Sequence, residues 1–289
     1  MHSGPVRPLD GRDDSEDHDR GLAADLPLLR RRALLGLLAG VGLAAVAGCA
    51  DFDSTPTTTI TATESPNDVP PPSTSAATAG CAEIPEETAG PFPADGSNGA
   101  NVLNQTGAVR SDIRSSFGTA SGVATGVPLT ITLTVSDTAA NCAPLNEAAV
   151  YVWHCDRDGR YSLYSQGVTG ENYLRGVQVV DADGAARFTS IFPACYRGRW
   201  PHIHFEIYEN LRAASSGAGP LATSQIALPK DVCDAVYATD GYAESARNIT
   251  DVALDSDPVF RDGWNRLLGT ITGSVGGGLA VALAVPVGA

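Results

Sequence analysis

The segment from Phe192 to Tyr208 constrains the fold more than any other part of this 289-residue chain. Its second half, residues 202–208, reads His-Ile-His-Phe-Glu-Ile-Tyr, with Ile or Phe at every second position. Neighbouring side chains of a strand point to opposite faces, so His202 and His204 share one face. The pattern predicts a β-strand that presents two imidazoles side by side, where they can share one ion. Taken alone, it also fits an edge strand with two half-buried histidines.

Two tyrosines favour the metal site over that simpler interpretation. Tyr196 lies six residues before His202, in a bend that contains Pro and Gly, and Tyr161 follows a tight turn further upstream. Phenolates are anionic hard oxygen donors, which suit ferric iron better than a soft ion. A zinc or copper site would need thiolate or further histidine partners nearby, and the sequence offers none. We therefore predict a site made of two histidines and two tyrosines.

Strand patterns dominate the rest of the chain beyond residue 81. Eight runs of apolar or alternating residues are separated by Gly, Pro and Asp turns, whereas helical patterns are few and short. This spacing predicts an all-β fold, a β-sandwich of mainly antiparallel strands with a few short helices. The predicted strands are 128–135, 148–154, 177–180, 185–190, 201–208, 221–228, 267–272 and 279–286. The predicted helices are 230–237 and 257–265.

Residues 1–48 are predicted to be a signal peptide. Arg30 to Arg32 precede an apolar run, 33–47, that is too short to span a membrane and has the length of a signal-peptide core. Small residues then lead to Cys49, which resembles a lipoprotein signal that is cleaved before this cysteine and lipidated on its sulfur. The double arginine resembles a twin-arginine export signal. We expect an exported protein attached to the outer face of the cell membrane only through the lipid on Cys49; a non-cleaved anchor is the alternative.

Composition then separates a linker from a folded unit. Residues 49–80 are rich in Thr, Ser and Pro and bury too little apolar surface to offset the entropy of ordering, so a flexible stalk is predicted. Residues 81–289 suffice for one domain with a substantial core. The leader holds seven of the 33 acids and six of the 19 bases, which leaves 26 acids against 13 bases. This acidic balance argues against a nucleic-acid partner.

Five cysteines remain after Cys49, and none forms a zinc-binding Cys-x-x-Cys pair. In an exported protein we expect disulfides, at most two bridges with one thiol left over. Spacing alone does not give the pairing among Cys81, Cys142, Cys155, Cys195 and Cys233.

Two Asp-x-Asp-Gly segments, 156–159 and 181–184, resemble calcium loops only superficially. Neither has an acid at the twelfth position of the loop, where Gly167 and Phe192 stand instead. We interpret both segments as hairpin turns. The first turn places Tyr161 just after a tight chain reversal, which can direct its side chain inward.

Two motifs in this chain resemble those of the intradiol ring-cleaving dioxygenases, which include catechol, protocatechuate and hydroxyquinol dioxygenases. Residues 150–161 contain Trp-His-Cys-Asp-x-Asp-Gly-x-Tyr, and residues 192–204 contain Tyr-x-Gly-Arg-x-Pro-His-Ile-His, in the family's order. Residues 87–93 are similar to the family's Glu-Gly-Pro-Tyr segment. The resemblance runs from about Glu87 to the C-terminus and is closest to compact exported members.

The resemblance implies a ferric iron centre, with one equatorial and one axial ligand of each residue type. Tyr161 and His202 would be equatorial, and Tyr196 would be the axial ligand that leaves when the substrate binds. Arg199 would stabilise negative charge on the bound ring, and Gln225 would stand beside the iron. The implied ligands are Tyr161, Tyr196, His202 and His204, and the implied catalytic residues are Arg199, Tyr196 and Gln225.

The chain departs from the family pattern at a few positions. Cys195 stands where compact members commonly have a bulky aromatic residue, and Ala89 and Pro93 replace the usual Glu and Tyr. These changes bear on substrate choice more than on iron binding. Trp200 and His154 are interpreted as packing residues.

The leading hypothesis is an intradiol dioxygenase that uses Fe³⁺ and O₂ to cleave a catechol-type ring between its two hydroxylated carbons, giving a cis,cis-muconate. Its expected partners are a small aromatic diol and O₂. The alternative is a catalytically inactive sandwich lipoprotein that serves as an extracytoplasmic binding module. The sequence predicts no oligomeric state.

The signal-peptide prediction can be tested by mass spectrometry of the membrane-associated protein. We expect a mature chain that begins at Cys49 and carries the added mass of a lipid on its N-terminal residue. A chain that retains residues 33–47 would instead support a non-cleaved anchor.

Overall fold

A computed structural model describes residues 81–289 of the chain. The predicted signal peptide, 1–48, and the predicted stalk, 49–80, lie outside the described residues. Within 81–289, every helix is too short or too polar to cross a lipid bilayer.

The described chain is built from two packed sheets, which confirms the predicted all-β sandwich class. One sheet has the strand order β2-β1-β9-β8, with β5 also paired to β1, and the other has the order β4-β3-β6-β7. All pairings are antiparallel except that of β1 with β9. The strands are β1 (Pro128–Asp137), β2 (Ala143–Pro144), β3 (Ala149–Trp153), β4 (Arg175–Val179), β5 (Ala185–Ile191), β6 (His202–Tyr208), β7 (Ala222–Ala227), β8 (Thr270–Ser274) and β9 (Gly278–Val287).

The core between the sheets follows from the alternation of the strands. In β1, every second residue from Leu129 to Val135 is buried, while Thr130, Thr132 and Thr134 lie on the opposite face. Strand β6 contributes Ile203, Phe205 and Ile207 from the other sheet, all completely buried. Burial of such side chains stabilises the fold by about 1.5–3 kcal/mol each. The apolar face of β6 is therefore fixed against the core, which leaves its histidine face on the other side of the sheet.

The short helices differ from the prediction more than the strands do. Helix α2 (Lys230–Tyr237) is found as predicted, but 257–265 forms two 3₁₀ turns, Phe260–Asp262 and Trp264–Arg266. The α-helix prediction there is wrong because Asp257 is extended before a proline, and Gly263, at φ 157°, interrupts the chain.

Two further α-helices, α1 (Leu211–Ser216) and α3 (Ala243–Asn248), were not predicted. Helix α1 carries recognisable end signals, because the Asn210 side chain accepts from the backbone N–H of Ala213 and Gly217 ends the helix at φ 77°.

One disulfide forms among the described cysteines, between Cys81 and Cys142. The expectation of a single leftover thiol is wrong, since Cys155, Cys195 and Cys233 are all free and buried. Each of these thiols faces a backbone carbonyl at 3.6–3.9 Å. They therefore behave as small core residues.

The two Asp-Gly segments form the turns that were predicted for them. Asp156 accepts hydrogen bonds from the backbone N–H groups of Asp158 and Arg160, both at 2.9 Å. Asp181 accepts in the same way from Asp183 and Ala185. The carboxylates are thus engaged in holding the turns.

Removing the disulfide should destabilise the domain measurably. The bridge closes a loop with a sequence separation of 61, so the Cys81→Ser, Cys142→Ser double variant should lose roughly 2–4 kcal/mol of unfolding free energy in urea titrations. As a control, a reductant should lower the stability of the wild type to the level of the variant and leave the variant unchanged. Equal stability of the two proteins without reductant would contradict a formed bridge.

Candidate metal centre

The candidate site lies on the histidine face of β6, away from the core between the sheets. His202 and His204 are 2% and 3% exposed, and β6 is flanked on both sides, by β3 and β7. The edge-strand alternative for these histidines is therefore wrong. Residues of the long loop between β3 and β4 and of the chain before β1 cover this face.

The structure brings together all four predicted ligands. The Nε2 atoms of His202 and His204 are 3.1 Å apart, and the hydroxyl of Tyr196 lies 3.2 Å from Nε2 of His202. The hydroxyl of Tyr161 lies 3.4 Å from the same atom. Nε2 of His202 is thus the centre of a cluster in which each other donor atom lies within 3.4 Å of it.

Two tight turns deliver the tyrosines to this cluster. Tyr161 follows the 156–159 turn, and its backbone N–H donates to the side chain of Ser165 at 2.9 Å. Gly159 has φ 81°, and a Cβ built on it would lie 3.2 Å from Cβ of Tyr196. The glycine therefore allows the two tyrosine-bearing turns to touch, because it has no side chain and tolerates the left-handed conformation.

Each histidine is held in a defined orientation. Nδ1 of His202 lies 2.5 Å from the backbone carbonyl of Trp200, so Nδ1 carries the proton and the lone pair of Nε2 points into the cluster. The ring of His204 stacks on Trp153 with centroids 4.9 Å apart and planes 5° from parallel. Gly90 also lies close to this ring, since a Cβ there would lie 3.3 Å from Cε1 of His204.

Burial favours the uncharged forms of Tyr161, His202 and His204. The pKa of Tyr161 is raised well above its usual range, first by burial and then by the neighbouring Tyr196. The pKa values of His202 and His204 are lowered, again first by burial. A cation among these atoms would favour phenolate over phenol, so a metal ion and the ionised tyrosines would stabilise each other.

The donor atoms also fit a metal ion in spacing. Two ligands about 2.1 Å from one ion lie about 3.0 Å apart at a right angle and about 3.6 Å apart at 120°. The three other donor atoms lie 3.1–3.4 Å from Nε2 of His202, and these distances fall in this interval. Clusters of three or more His, Cys, Asp or Glu side chains suited to a metal ion do not occur in residues 81–289. A metal ion at this site would therefore need the two phenol oxygens as ligands, and such oxygen donors suit a hard, highly charged ion.

Arg199 and Gln225 stand next to the cluster. Arg199 is 3% exposed, and its Nη2 donates to Oε1 of Gln225 at 2.8 Å. Gln225 lies on β7 directly opposite His204 and donates to the carbonyl of Thr88 at 2.8 Å. A fixed positive charge therefore lies close to the donor atoms.

A second buried arginine, which the sequence did not suggest, connects two walls of the site. Arg175 is 1% exposed and donates to the Oγ and the carbonyl of Ser162, both at 3.0 Å. It also donates to the carbonyl of Pro93 at 3.0 Å and to Tyr151 at 3.2 Å. Arg175 thereby ties the loop that carries Tyr161 to the segment that carries Gly90.

The two residues interpreted as packing groups have structural partners outside the cluster. Nε2 of His154 lies 2.7 Å from the hydroxyl of Ser190. The indole N–H of Trp200 donates to the carbonyl of Leu228 at 2.8 Å.

Comparisons with known proteins agree with the fold and the motifs. A family model described as dioxygenase matches residues 106–214. Chlorocatechol 1,2-dioxygenase from Rhodococcus opacus is 30% identical over 115 residues, which are 32% of this chain and 43% of that protein. An intradiol ring-cleavage dioxygenase from Tetranychus urticae superimposes with a TM-score of 0.58 and 23% identity, over 72% of this chain and 95% of that one. A second dioxygenase crystal structure superimposes with a TM-score of 0.57 and 22% identity, again over 72% of this chain and 95% of that one.

Fold and site together define a class: β-sandwich proteins with two histidines and two tyrosines converging beside one sheet. Within that class, residues 106–214 match the dioxygenase family model, and the chain is similar to the intradiol ring-cleavage dioxygenases. The matched range 106–214 contains Tyr161, Tyr196, Arg199 and both histidines. The alignment spans less than half the length of the curated relative, and the two structures support the fold.

A methyl group at Gly90 should disturb His204 specifically. Gly90 and Gly118 have nearly equal φ angles, 69° and 70°, but a Cβ on Gly118 would meet no atom within 4 Å. Both Gly→Ala variants should lose about 1–2 kcal/mol of stability because of the left-handed backbone. Only Gly90→Ala should shift the NMR signals of the His204 ring. Unchanged His204 signals in Gly90→Ala would show that the close approach is absent in solution.

Proposed function

We propose that the protein is a non-haem Fe³⁺ dioxygenase that cleaves catechol-type rings between their two hydroxylated carbons, using O₂ and giving cis,cis-muconate products. The observation that carries this proposal is that the donor atoms of Tyr161, Tyr196 and His204 each lie within 3.4 Å of Nε2 of His202. The match of residues 106–214 to the dioxygenase family model and the similarity to a chlorocatechol 1,2-dioxygenase support it.

The donor set favours ferric iron among the common metals. Two phenolates and two neutral imidazoles offer two negative charges and hard oxygen atoms, which suit a trivalent ion. When bound, ferric iron supplies the Lewis acidity that favours the ionised form of a chelating diol.

Tyr196 and Tyr161 have different roles in the proposed reaction. Tyr161 is 2% exposed and packs against the ring of Phe92 at 5.0 Å, whereas Tyr196 is half-buried. We assign Tyr196 Oη as the atom that takes a proton from the incoming diol, because it is the more accessible phenol. Tyr161 then remains as the fixed donor.

Arg199 supplies a positive charge that needs no proton transfer. Its guanidinium is protonated at every working pH, is buried and is held by Gln225, so it can stabilise negative charge that develops on the ring. Phe92 lies against Tyr161 and Tyr164, with ring centroids 5.0 Å and 5.2 Å away. These apolar contacts limit the access of water to the donor atoms and suit an aromatic substrate.

We further propose that the enzyme works outside the cytoplasm, tethered by a lipid on Cys49. The disulfide between Cys81 and Cys142 supports this location, because such bonds persist in oxidising compartments. The substrate would then be a small aromatic diol met at the cell surface.

Metal analysis and colour test the proposal directly. The purified protein should contain about one iron per chain and absorb visible light through tyrosinate-to-iron charge transfer. Tyr161→Phe should lose the band and most of the iron because it lacks a donor oxygen. Tyr237→Phe is the matched control, since Tyr237 is equally buried at 2% and its hydroxyl donates to the carbonyl of Pro193, outside the cluster.

Oxygen uptake with a panel of catechols then separates an enzyme from a binding module. Uptake matched by the appearance of a muconate chromophore would support ring cleavage. Iron-containing protein that binds catechols without consuming oxygen would support the alternative of a binding lipoprotein.

A further inference from the structure

Asp257 lies between the 3₁₀ turns Leu254–Ser256 and Phe260–Asp262 and is buried against the back of the site. Its side chain is 0% exposed, and its Oδ2 accepts from Nε of Arg199 at 3.1 Å and from the backbone N–H of Trp200 at 2.7 Å. Oδ1 accepts from the backbone N–H groups of Val259 at 2.8 Å and Phe260 at 3.1 Å. One carboxylate therefore joins Arg199, the residue Trp200 just before β6, and the backbone that directly follows Asp257 itself.

These bonds form a continuous chain from a predicted ligand to the charged group. Nδ1 of His202 is bonded to the carbonyl of Trp200, whose own N–H donates to Asp257. From Asp257 the chain continues through Arg199 to Gln225 at 2.8 Å. A shift of the carboxylate would thus move the imidazole and the guanidinium together.

Asp257 is also the anion that balances the buried charge of Arg199. Glu87 interacts electrostatically with the same arginine, but burial, followed by repulsion from Asp262, raises the pKa of Glu87 to about 8. Glu87 is therefore mostly uncharged at neutral pH, and the direct ion pair with Arg199 is made by Asp257. Removing one partner of such a buried pair leaves an uncompensated charge, which is strongly unfavourable.

The same carboxylate places an aromatic ring beside both groups. Its Oδ1 holds the backbone of Phe260, whose ring lies 5.9 Å from Cζ of Arg199 and 6.4 Å from the ring of His202. Asp257 thereby sets the position of the ring that packs on the arginine, and the guanidinium is confined on three sides.

We propose that Asp257 is a positioning residue of the dioxygenase reaction: it fixes the orientation of the Arg199 guanidinium beside the cluster of Tyr161, Tyr196, His202 and His204. The proposal rests on the proposed function. The hydrogen bonds of the Asp257 side chain go to Arg199, Trp200 and the backbone that follows Asp257, so it acts through Arg199 and through Trp200.

The test compares Asp257→Asn with a matched control, Asp112→Asn. Asp112 also pairs with an arginine, Arg114, at 2.7 Å, but the two side chains are 50% and 42% exposed. Asparagine keeps the shape of Asp257 but has one acceptor oxygen and no charge. We expect kcat for a catechol to fall about 10- to 100-fold in Asp257→Asn with KM changed less than about threefold, whereas Asp112→Asn matches the wild type. Iron content should stay about one per chain in all three proteins.

A readout without turnover keeps this inference separate from the proposed function. With diamagnetic gallium in place of iron, the Nε–Hε group of Arg199 should give an NMR signal that exchanges slowly with water. This signal should broaden or vanish in Asp257→Asn and persist in Asp112→Asn. A persisting slow signal, or an unchanged kcat, in Asp257→Asn would overturn the positioning role. A wild type that consumes no oxygen would overturn the proposed function, while the NMR comparison would still decide the role of Asp257.

Discussion

The site depends on the pairing of β6 between β3 and β7. One face of this strand supplies Ile203, Phe205 and Ile207 to the core, so its alignment is fixed by apolar burial. A slip of one residue would place both imidazoles in the core and the apolar side chains among the donors. Burying the imidazoles and exposing the apolar side chains would cost much free energy. The same alignment of β6 therefore stabilises the sandwich and sets the geometry of the cluster.

Electrostatics explains why the cluster is built from phenols and imidazoles, which can be neutral without a bound cation. A buried pair of carboxylates would carry a large desolvation cost before a cation arrives, whereas phenols and imidazoles can stay uncharged in a dry site. The phenols then become negatively charged only when a cation binds beside them. The permanently charged Arg199 is accommodated beside the cluster because Asp257 balances it and Gln225 accepts a hydrogen bond from it.

The sequence predicted the features that depend on local periodicity and on family motifs. Alternation identified β1 and β6, and the motif resemblance identified all four residues that converge. Features that depend on distant contacts were not predictable. Asp257 is 58 residues from Arg199 along the chain, and no local pattern marks their ion pair. Arg175 lies in a strand with no motif around it, and only the packed structure shows what it connects. Helix α1 could have been found from Asn210 and Gly217, since its end signals are local.

The position of the Cys81–Cys142 bridge has a mechanical consequence. The bridge attaches the beginning of the described chain to the turn after β1, and the backbone N–H of Ile84 donates to the carbonyl of Pro286 in β9 at 2.8 Å. A pull on the chain before Cys81 would therefore load the five-stranded sheet through a covalent bond. Gly90 and Phe92, which lie beside the cluster, follow both of these attachments along the chain, so the load would enter this sheet before it reaches them. A protein tugged from its N-terminal side could in this way keep its reactive centre undisturbed.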